Sequence, residues 1–221
     1  MLTTCKNSHI YSTKQEKYVQ FGCGLCAPES WLNFDSSPAL RLQKLPVVGN
    51  LVPSGPFGRF PKNVQYGDIV VGLPVPENSI ALLYSSHVLE HLTLMELRQA
   101  LKNCYRILKL GGIFRFVLPD LEFMAHQYIN SVNSDAAVEF MQLTWLGIQE
   151  RRNGLLGFLK EYLGGSKHLW MWDYKSLSLE LEKVGFKNIR RAYFGDSNFS
   201  NFTQVEYLER WENELGIECN K

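Results

Sequence analysis

The stretch Ser85-Ser86-His87-Val88-Leu89-Glu90-His91-Leu92 sets two histidines four residues apart, with a glutamate beside the second. On one continuous helix this H-x-x-E-H spacing stacks both imidazoles on a single face, where they could hold zinc for hydrolysis. A capping box argues against such a helix. Thr93 and Glu96 are spaced to satisfy the first free amides of a helix that begins just past His91. His87 and His91 then share one turn between an apolar strand and a new helix, and no later acidic residue is marked out as a third ligand. The sequence therefore assigns no metal. His91 is expected to be bonded into the scaffold, whereas His87 lies near the carboxyl end of the strand, where ligands of open α/β sheets bind.

The other chemically suggestive stretch is Gly22-Cys23-Gly24-Leu25-Cys26. A C-x-x-C pair can act as a redox dithiol when it opens a helix after a strand. It can also contribute half of a zinc site, here with Cys5 and His9, although no second close ligand pair exists. Two reduced thiols in a glycine loop is the stronger reading. Gly22-x-Gly24 suits close approach of backbone to a ligand, but a dinucleotide fold needs an acidic residue about 20 positions on. Asp35 follows Gly24 by eleven positions, with no room for a crossover helix, which argues against NAD.

These residues must be positioned by a regular frame. Tyr18 to Gly22, Trp31 to Asp35, Val64 to Tyr66 and Ile80 to Tyr84 read as short strands, with a short helix from Pro38 to Leu45. After the capping box, Leu94, Leu97, Leu101, Tyr105 and Leu108 recur at spacings of three and four, predicting a helix stopped by Gly111-Gly112. Ile113 to Leu118 reads as a fifth strand, Tyr174 to Val184 as a helix closed by Gly185, and Lys187 to Phe194 as a strand. A helix-like stretch, Val205 to Trp211, and a last strand, Gly216 to Cys219, follow. Strands alternating with helices imply a mostly parallel sheet covered on both faces.

The bulk numbers bound the function. In 221 residues, 45% apolar and 20% charged, a net charge of +1 offers no basic field for nucleic acid. The polar start lacks the apolar core of a signal peptide, and no apolar run is long enough to span a bilayer. A cytoplasmic protein that binds neither nucleic acid nor membrane is expected; oligomeric state is not legible.

Taken in order, VQFGCG, WLNFDSSP, YGDI, YSSHVLEHL, CYRILKLGGIFRFVLPDLE and HLWMWDYKSLSLELEKVGFKN resemble the class I S-adenosylmethionine-dependent methyltransferases. The likeness is to the short-looped bacterial branch, methyltransferase type 11-like, and covers roughly residues 18 to 195. It implies a Rossmann-like α/β fold, a seven-stranded sheet with helices on both faces and its last strand antiparallel. The chain, 1 to 221, would be one methyltransferase domain with 121–173 inserted as a helical lid that binds the acceptor. S-Adenosyl-L-methionine would be the cofactor. Gly22, Cys23 and Gly24 would pack against its methionine part, Asp35 would hold the ribose hydroxyls, and Asp68 and Ile69 the adenine; Ser85 and Ser86 would line the floor near the sulfonium. The chain departs from the family at Gln20, where an acidic residue is usual, at Cys26, near the place of a third loop glycine, and at Ala81, where strand four commonly carries aspartate.

Methyl transfer from a sulfonium is an in-line displacement, so the protein's main task is to hold the acceptor. A hydroxyl acceptor also needs a general base, for which His87, Asp120 and His168 are the candidates. Trp170-Met171-Trp172 would suit an acceptor with an apolar or sugar face, or would be aromatic core. The expected activity is O- or N-methylation of a small molecule or glycan precursor. The alternative is a non-catalytic domain of the same fold that binds a nucleoside-like ligand or a partner protein.

Overall fold

The computed structural model describes residues 16–46, 58–149 and 167–221. Seven strands form one sheet: β1 (Lys17–Phe21), β2 (Trp31–Asp35), β3 (Val64–Tyr66), β4 (Ile80–Ser86), β5 (Leu108–Pro119), β6 (Lys187–Ala192) and β7 (Glu214–Asn220). Their order is β3-β2-β1-β4-β5-β7-β6. β1 to β5 pair in parallel, and β7 runs antiparallel between β5 and β6. The expected Rossmann-like, seven-stranded frame with an antiparallel last strand is therefore present. Five α-helices join it among the described residues: α1 (Pro38–Gln43), α2 (Leu94–Ile107), α3 (Leu121–Asn130), α4 (Ala136–Leu143) and α5 (Tyr174–Val184).

Strand residues alternate between the two faces, and the core divides accordingly. On one face Val19, Phe21, Phe34, Phe114, Phe116, Leu118, Leu215 and Ile217 pack with Leu97, Leu101 and Cys104 of α2 and Leu177 and Leu181 of α5. On the other, Trp31, Leu82, Tyr84 and Val117 are covered by Phe202, Val205 and Trp211, which lie in or directly after two short 3-10 turns, Ser200–Gln204 and Leu208–Arg210. Those turns replace the single helix expected at 205–211. The reason is visible in their anchors: Phe202 and Trp211 must both face the sheet, and they are nine residues apart with no 3.6-residue stripe between them.

Helix α2 starts as expected, the Thr93 hydroxyl accepting from the Glu96 amide while the Glu96 carboxylate accepts from the Thr93 amide. It ends earlier than its spacing suggests. Leu108 fits the helical stripe, yet it pairs with Ile80 as the first residue of β5, which runs from 108 to 119 rather than from 113 to 118. Sheet pairing overrides the local pattern there. Helix α5 ends on Gly185 at φ +116°, as its sequence requires.

Candidate functional site

The carboxyl ends of β1 to β4 bring the expected cofactor residues together. Gly22 and Gly24 both hold positive φ, +65° and +54°. A Cβ on Gly22 would stand 2.1 Å from Val88 Cγ2, whereas one on Gly24 would meet nothing within 4 Å. The first glycine is a packing requirement, and the second leaves backbone open to approach. The loop is pinned from β2: Cys23 N–H donates to Phe34 O at 3.1 Å and Gly24 N–H to Asp35 Oδ2 at 3.0 Å. Asp35 Oδ1 accepts from Ser37 N–H at 2.8 Å. Both oxygens keep further lone pairs, so the carboxylate is held in place without being saturated. Gly67 N–H donates to Asp35 O, which sets the end of β3 against the end of β2.

Asp68 caps the next turn through Val70 N–H at 2.8 Å. The Ile69 side chain is buried in the main core. Asn103 of α2 donates to both Ile69 O and Val70 O, at 2.8 and 2.9 Å, and so fixes the turn; nothing in the sequence singled it out. Ser85 and Ser86 are buried at the end of β4, and neither hydroxyl has a hydrogen-bond partner among the described residues.

The departures noted in the sequence have structural occupations. Gln20 Nε2 donates to Asn33 Oδ1 at 2.6 Å and to Cys26 O at 2.8 Å, cross-bracing β1, β2 and the glycine loop. Cys26 packs against the second-face core and its thiol reaches Gln204 O. Neither Cys23 nor Cys26 is in a disulfide. Burial, reinforced by Asp35 and Cys26, pushes the Cys23 thiol up to about 12. A redox dithiol requires the opposite shift. Cys5 and His9, the other members of the zinc alternative, lie outside the described residues.

Beyond β4 the chain turns sharply. His87 has φ +53°, a left-handed conformation costing a non-glycine residue about 1–2 kcal/mol. It is held there by its N–H on Val117 O at 2.9 Å and its ring Nε2 on Arg210 O at 3.2 Å. A 3-10 turn, Leu89–His91, follows. His91 Nδ1 meets Lys167 O at 2.9 Å, the scaffold bond expected of it. Glu90 is fully buried, and neither carboxylate oxygen has a hydrogen-bond partner among the described residues. His87 Nδ1 lies 3.4 Å, His91 Nε2 3.8 Å and His168 Nε2 4.0 Å from Glu90 Oε1.

His168 arrives from far along the chain. Leu169 and Trp170 N–H both donate to Glu90 O, and Leu121 N–H donates to Trp172 O, so residues 168–172 are laced between the ends of β4 and β5. His168 Nδ1 meets Thr144 O at 2.9 Å, and Trp145 stacks on its ring. Burial, countered by Glu90 and assisted by His91, leaves the His168 imidazole below its ordinary value. Burial also opposes charge on His87, but Glu90, Arg210 O and Glu214 outweigh it and raise its value. Of the aromatic patch, Trp172 and Met171 are core, and Trp170 is exposed.

Asp120, the third candidate base, is committed. Its Oδ1 caps α3 through Glu122 and Phe123 N–H, and its Oδ2 is 3.1 Å from Arg191 Nη1. Glu214 is a neighbour the sequence gave no reason to expect. As the first residue of β7 it pairs opposite Pro119, and burial, partly offset by His87 and helped by Glu90 and Asp120, raises its carboxyl to about 7. Of the expected lid, 121–173, residues 150–166 with Gly154, Gly157, Gly164 and Gly165 lie outside the described residues.

Residues 54–116 match the family profile described as "Methyltransferase domain". No curated protein matches the chain. Among solved structures, it is similar to a SAM-dependent methyltransferase from Archaeoglobus fulgidus: 15% identity, 93% of this chain and 86% of that one, TM-score 0.48. It is also similar to an S-adenosylmethionine-dependent methyltransferase from Mesorhizobium loti: 15% identity, 93% and 90% coverage, TM-score 0.47.

Proposed function

We propose that the chain is a class I S-adenosylmethionine-dependent methyltransferase, an enzyme that binds S-adenosyl-L-methionine over the carboxyl edge of β1 to β4. It methylates an oxygen or nitrogen of a small molecule or glycan precursor. The observation that carries the reading is Asp35, a carboxylate fixed by Gly24 and Ser37 amides yet left with free lone pairs beside an open glycine. A planar carboxylate so placed can accept both hydroxyls of a ribose at once. Gly22, Cys23 and Gly24 receive the methionine part, Asp68 and the main chain at Ile69 flank the adenine, and Ser85 and Ser86, whose buried hydroxyls have no partner among the described residues, line the floor.

When bound, the cofactor supplies an electrophilic methyl group on a sulfonium. The protein's share is to hold the acceptor in line with it, which contributes on the order of 7–11 kcal/mol toward the barrier. His87 takes the acceptor's proton in this reading. Its ring is more exposed than that of His168, and Asp120 is already bound to Arg191 and two amides. Residues 121–173 form the cover over the acceptor. A cytoplasmic location goes with this reading; separately, among the described residues no helix is long and apolar enough to cross a membrane.

Calorimetry with S-adenosylmethionine and its demethylated product tests the cofactor. Wild type should bind, and Asp35→Ala should bind more weakly by about 1–3 kcal/mol, the cost of leaving hydroxyl partners unpaired. No binding by wild type, or an unaffected Asp35→Ala, refutes the assignment. Binding without turnover across an acceptor screen would favour the non-catalytic domain.

A further inference from the structure

We propose that Glu90, His91 and His168 form a binding site for a divalent transition-metal ion of the zinc class. One ligand atom from each lies within 4.8 Å of the other two, and Nε2 of each histidine faces Glu90 Oε1, at 3.8 and 4.0 Å. The orientation of the rings is set from behind. Each Nδ1 abuts a main-chain carbonyl, Lys167 O for His91 and Thr144 O for His168. A carbonyl only accepts, so each Nδ1 carries a proton, which leaves Nε2, the nitrogen facing Glu90, as the one that can offer a lone pair. Histidines that ligate metals are held in this way, through the nitrogen that does not bind the ion.

The spacing supports the same conclusion. At 3.8 and 4.0 Å from Glu90 Oε1, neither Nε2 can hydrogen-bond the carboxylate. Three donors at 2.0–2.2 Å around a tetrahedral ion are separated by about 3.4 Å, so each Nε2 would need to close on the carboxylate oxygen by about half an ångström. The carboxylate provides an independent reason. Glu90 is fully buried with both oxygens unpartnered among the described residues, and a buried charge requires a counter-charge. His87, with Nδ1 at 3.4 Å, is the other group that could supply one. Neutralisation by His87 alone is the competing account, and it predicts no metal.

Two imidazoles and one carboxylate leave positions open on the ion, and His91 is about one-quarter exposed, so the site is reachable. It differs from the inverted zinc-hydrolase arrangement, because Glu90 is a ligand here and the turn carrying it is 3-10, not α-helical. The third ligand is His168, 77 positions beyond His91. An ion at this place would bind and acidify an acceptor hydroxyl beside the carboxyl end of β4; that role, unlike the site itself, rests on the methyltransferase reading.

The test uses the full chain, stripped by a chelator, with no S-adenosylmethionine present, and titrated with Zn2+ or Co2+ alone. Calorimetry should show one equivalent bound with a dissociation constant in the micromolar range or below, and Co2+ should give the visible bands of a four- or five-coordinate ion. Glu90→Gln, His91→Gln and His168→Gln should each weaken binding at least a hundredfold. Cys26→Ser and His126→Gln should leave it unchanged. Circular dichroism checks each fold; should a ligand variant unfold, wild type alone still decides, since Zn2+ must raise its thermal midpoint. Absence of binding by wild type overturns the proposal. So does affinity that survives Glu90→Gln or is lost in Cys26→Ser. Because cofactor is absent throughout, these outcomes are separate from those of the Asp35 experiment.

Discussion

Arg115→Met should destabilise the protein by about 3–5 kcal/mol, because it strands a single buried carboxylate. Arg115 has no exposed surface. Its Nε is 2.5 Å from Glu206 Oε1, its Nη1 is 2.8 Å from Asp196 and 3.1 Å from Glu218, and its Nη2 donates to Tyr193 O. Two of the three acids would keep a counter-charge, since Arg190 also binds Asp196 and Glu218 at 2.6 and 2.7 Å. Glu206 would not. It is 1% exposed and would be left with the Gly195 amide alone. For a chain of this size each kcal/mol moves the midpoint by about 2–4 °C, so a fall of roughly 6–20 °C is expected. The double variant Arg115→Met, Glu206→Gln should recover about half of the loss. Urea denaturation followed by circular dichroism measures both, with Trp211, whose ring lies 4.6 Å from the guanidinium, as a local fluorescence probe. A loss below about 1 kcal/mol, or a double variant no better than the single, would refute the reasoning.

Gly22→Ala and Gly24→Ala should part company. The first meets Val88 and should cost well over 1 kcal/mol in stability, while the second adds only left-handed strain of about 1–2 kcal/mol and should instead lower cofactor affinity; thermal melts and calorimetry on both decide. Thr93→Ala removes the cap of α2 and should cost about 1 kcal/mol in a denaturant titration. The bidentate bond from Arg98, with help from Lys183, draws the Glu180 carboxyl down to about 2 from 4.5. A depressed carboxyl contributes stability that is present above 4.5 and is lost as pH falls toward 2. Glu180→Gln should therefore flatten the stability profile across that window, by about 1 kcal/mol or less once solvent screening of the exposed partners Arg98 and Lys183 is counted.

Local chemistry was legible where local chemistry decided the outcome. The capping box at Thr93, the strand ending at Asp35 and the glycine closing α5 each formed as their residues required. The end of α2 was misread because Leu108 serves two patterns, and only its pairing with Ile80 selects one. The edge proposed for the cofactor was legible as a place in the fold, since Gly24 and Asp35 follow and end consecutive strands. The histidine cluster was half readable: Glu90 and His91 are neighbours, but His168 joins them through main-chain bonds to Glu90 O that no spacing rule anticipates. Glu214 and Asn103 carry no signal of their own. Each reaches the site through pairing or packing of an element whose sequence is otherwise ordinary.

The placement of β7 bears on how the chain acquires its structure during synthesis. β6 leaves the ribosome more than twenty residues ahead of β7, and β7 is the one strand it pairs with. Until β7 slots between β6 and β5, one edge of β5 is open and β6 has no partner strand. The growing protein also lacks Glu218, one of the acids around Arg115. Open edges of this kind recruit other chains. The protein should be most prone to aggregate between the exit of β6 and the docking of β7. A chaperone, or faster translation through that window, would raise the soluble yield without any change in the stability of the finished fold.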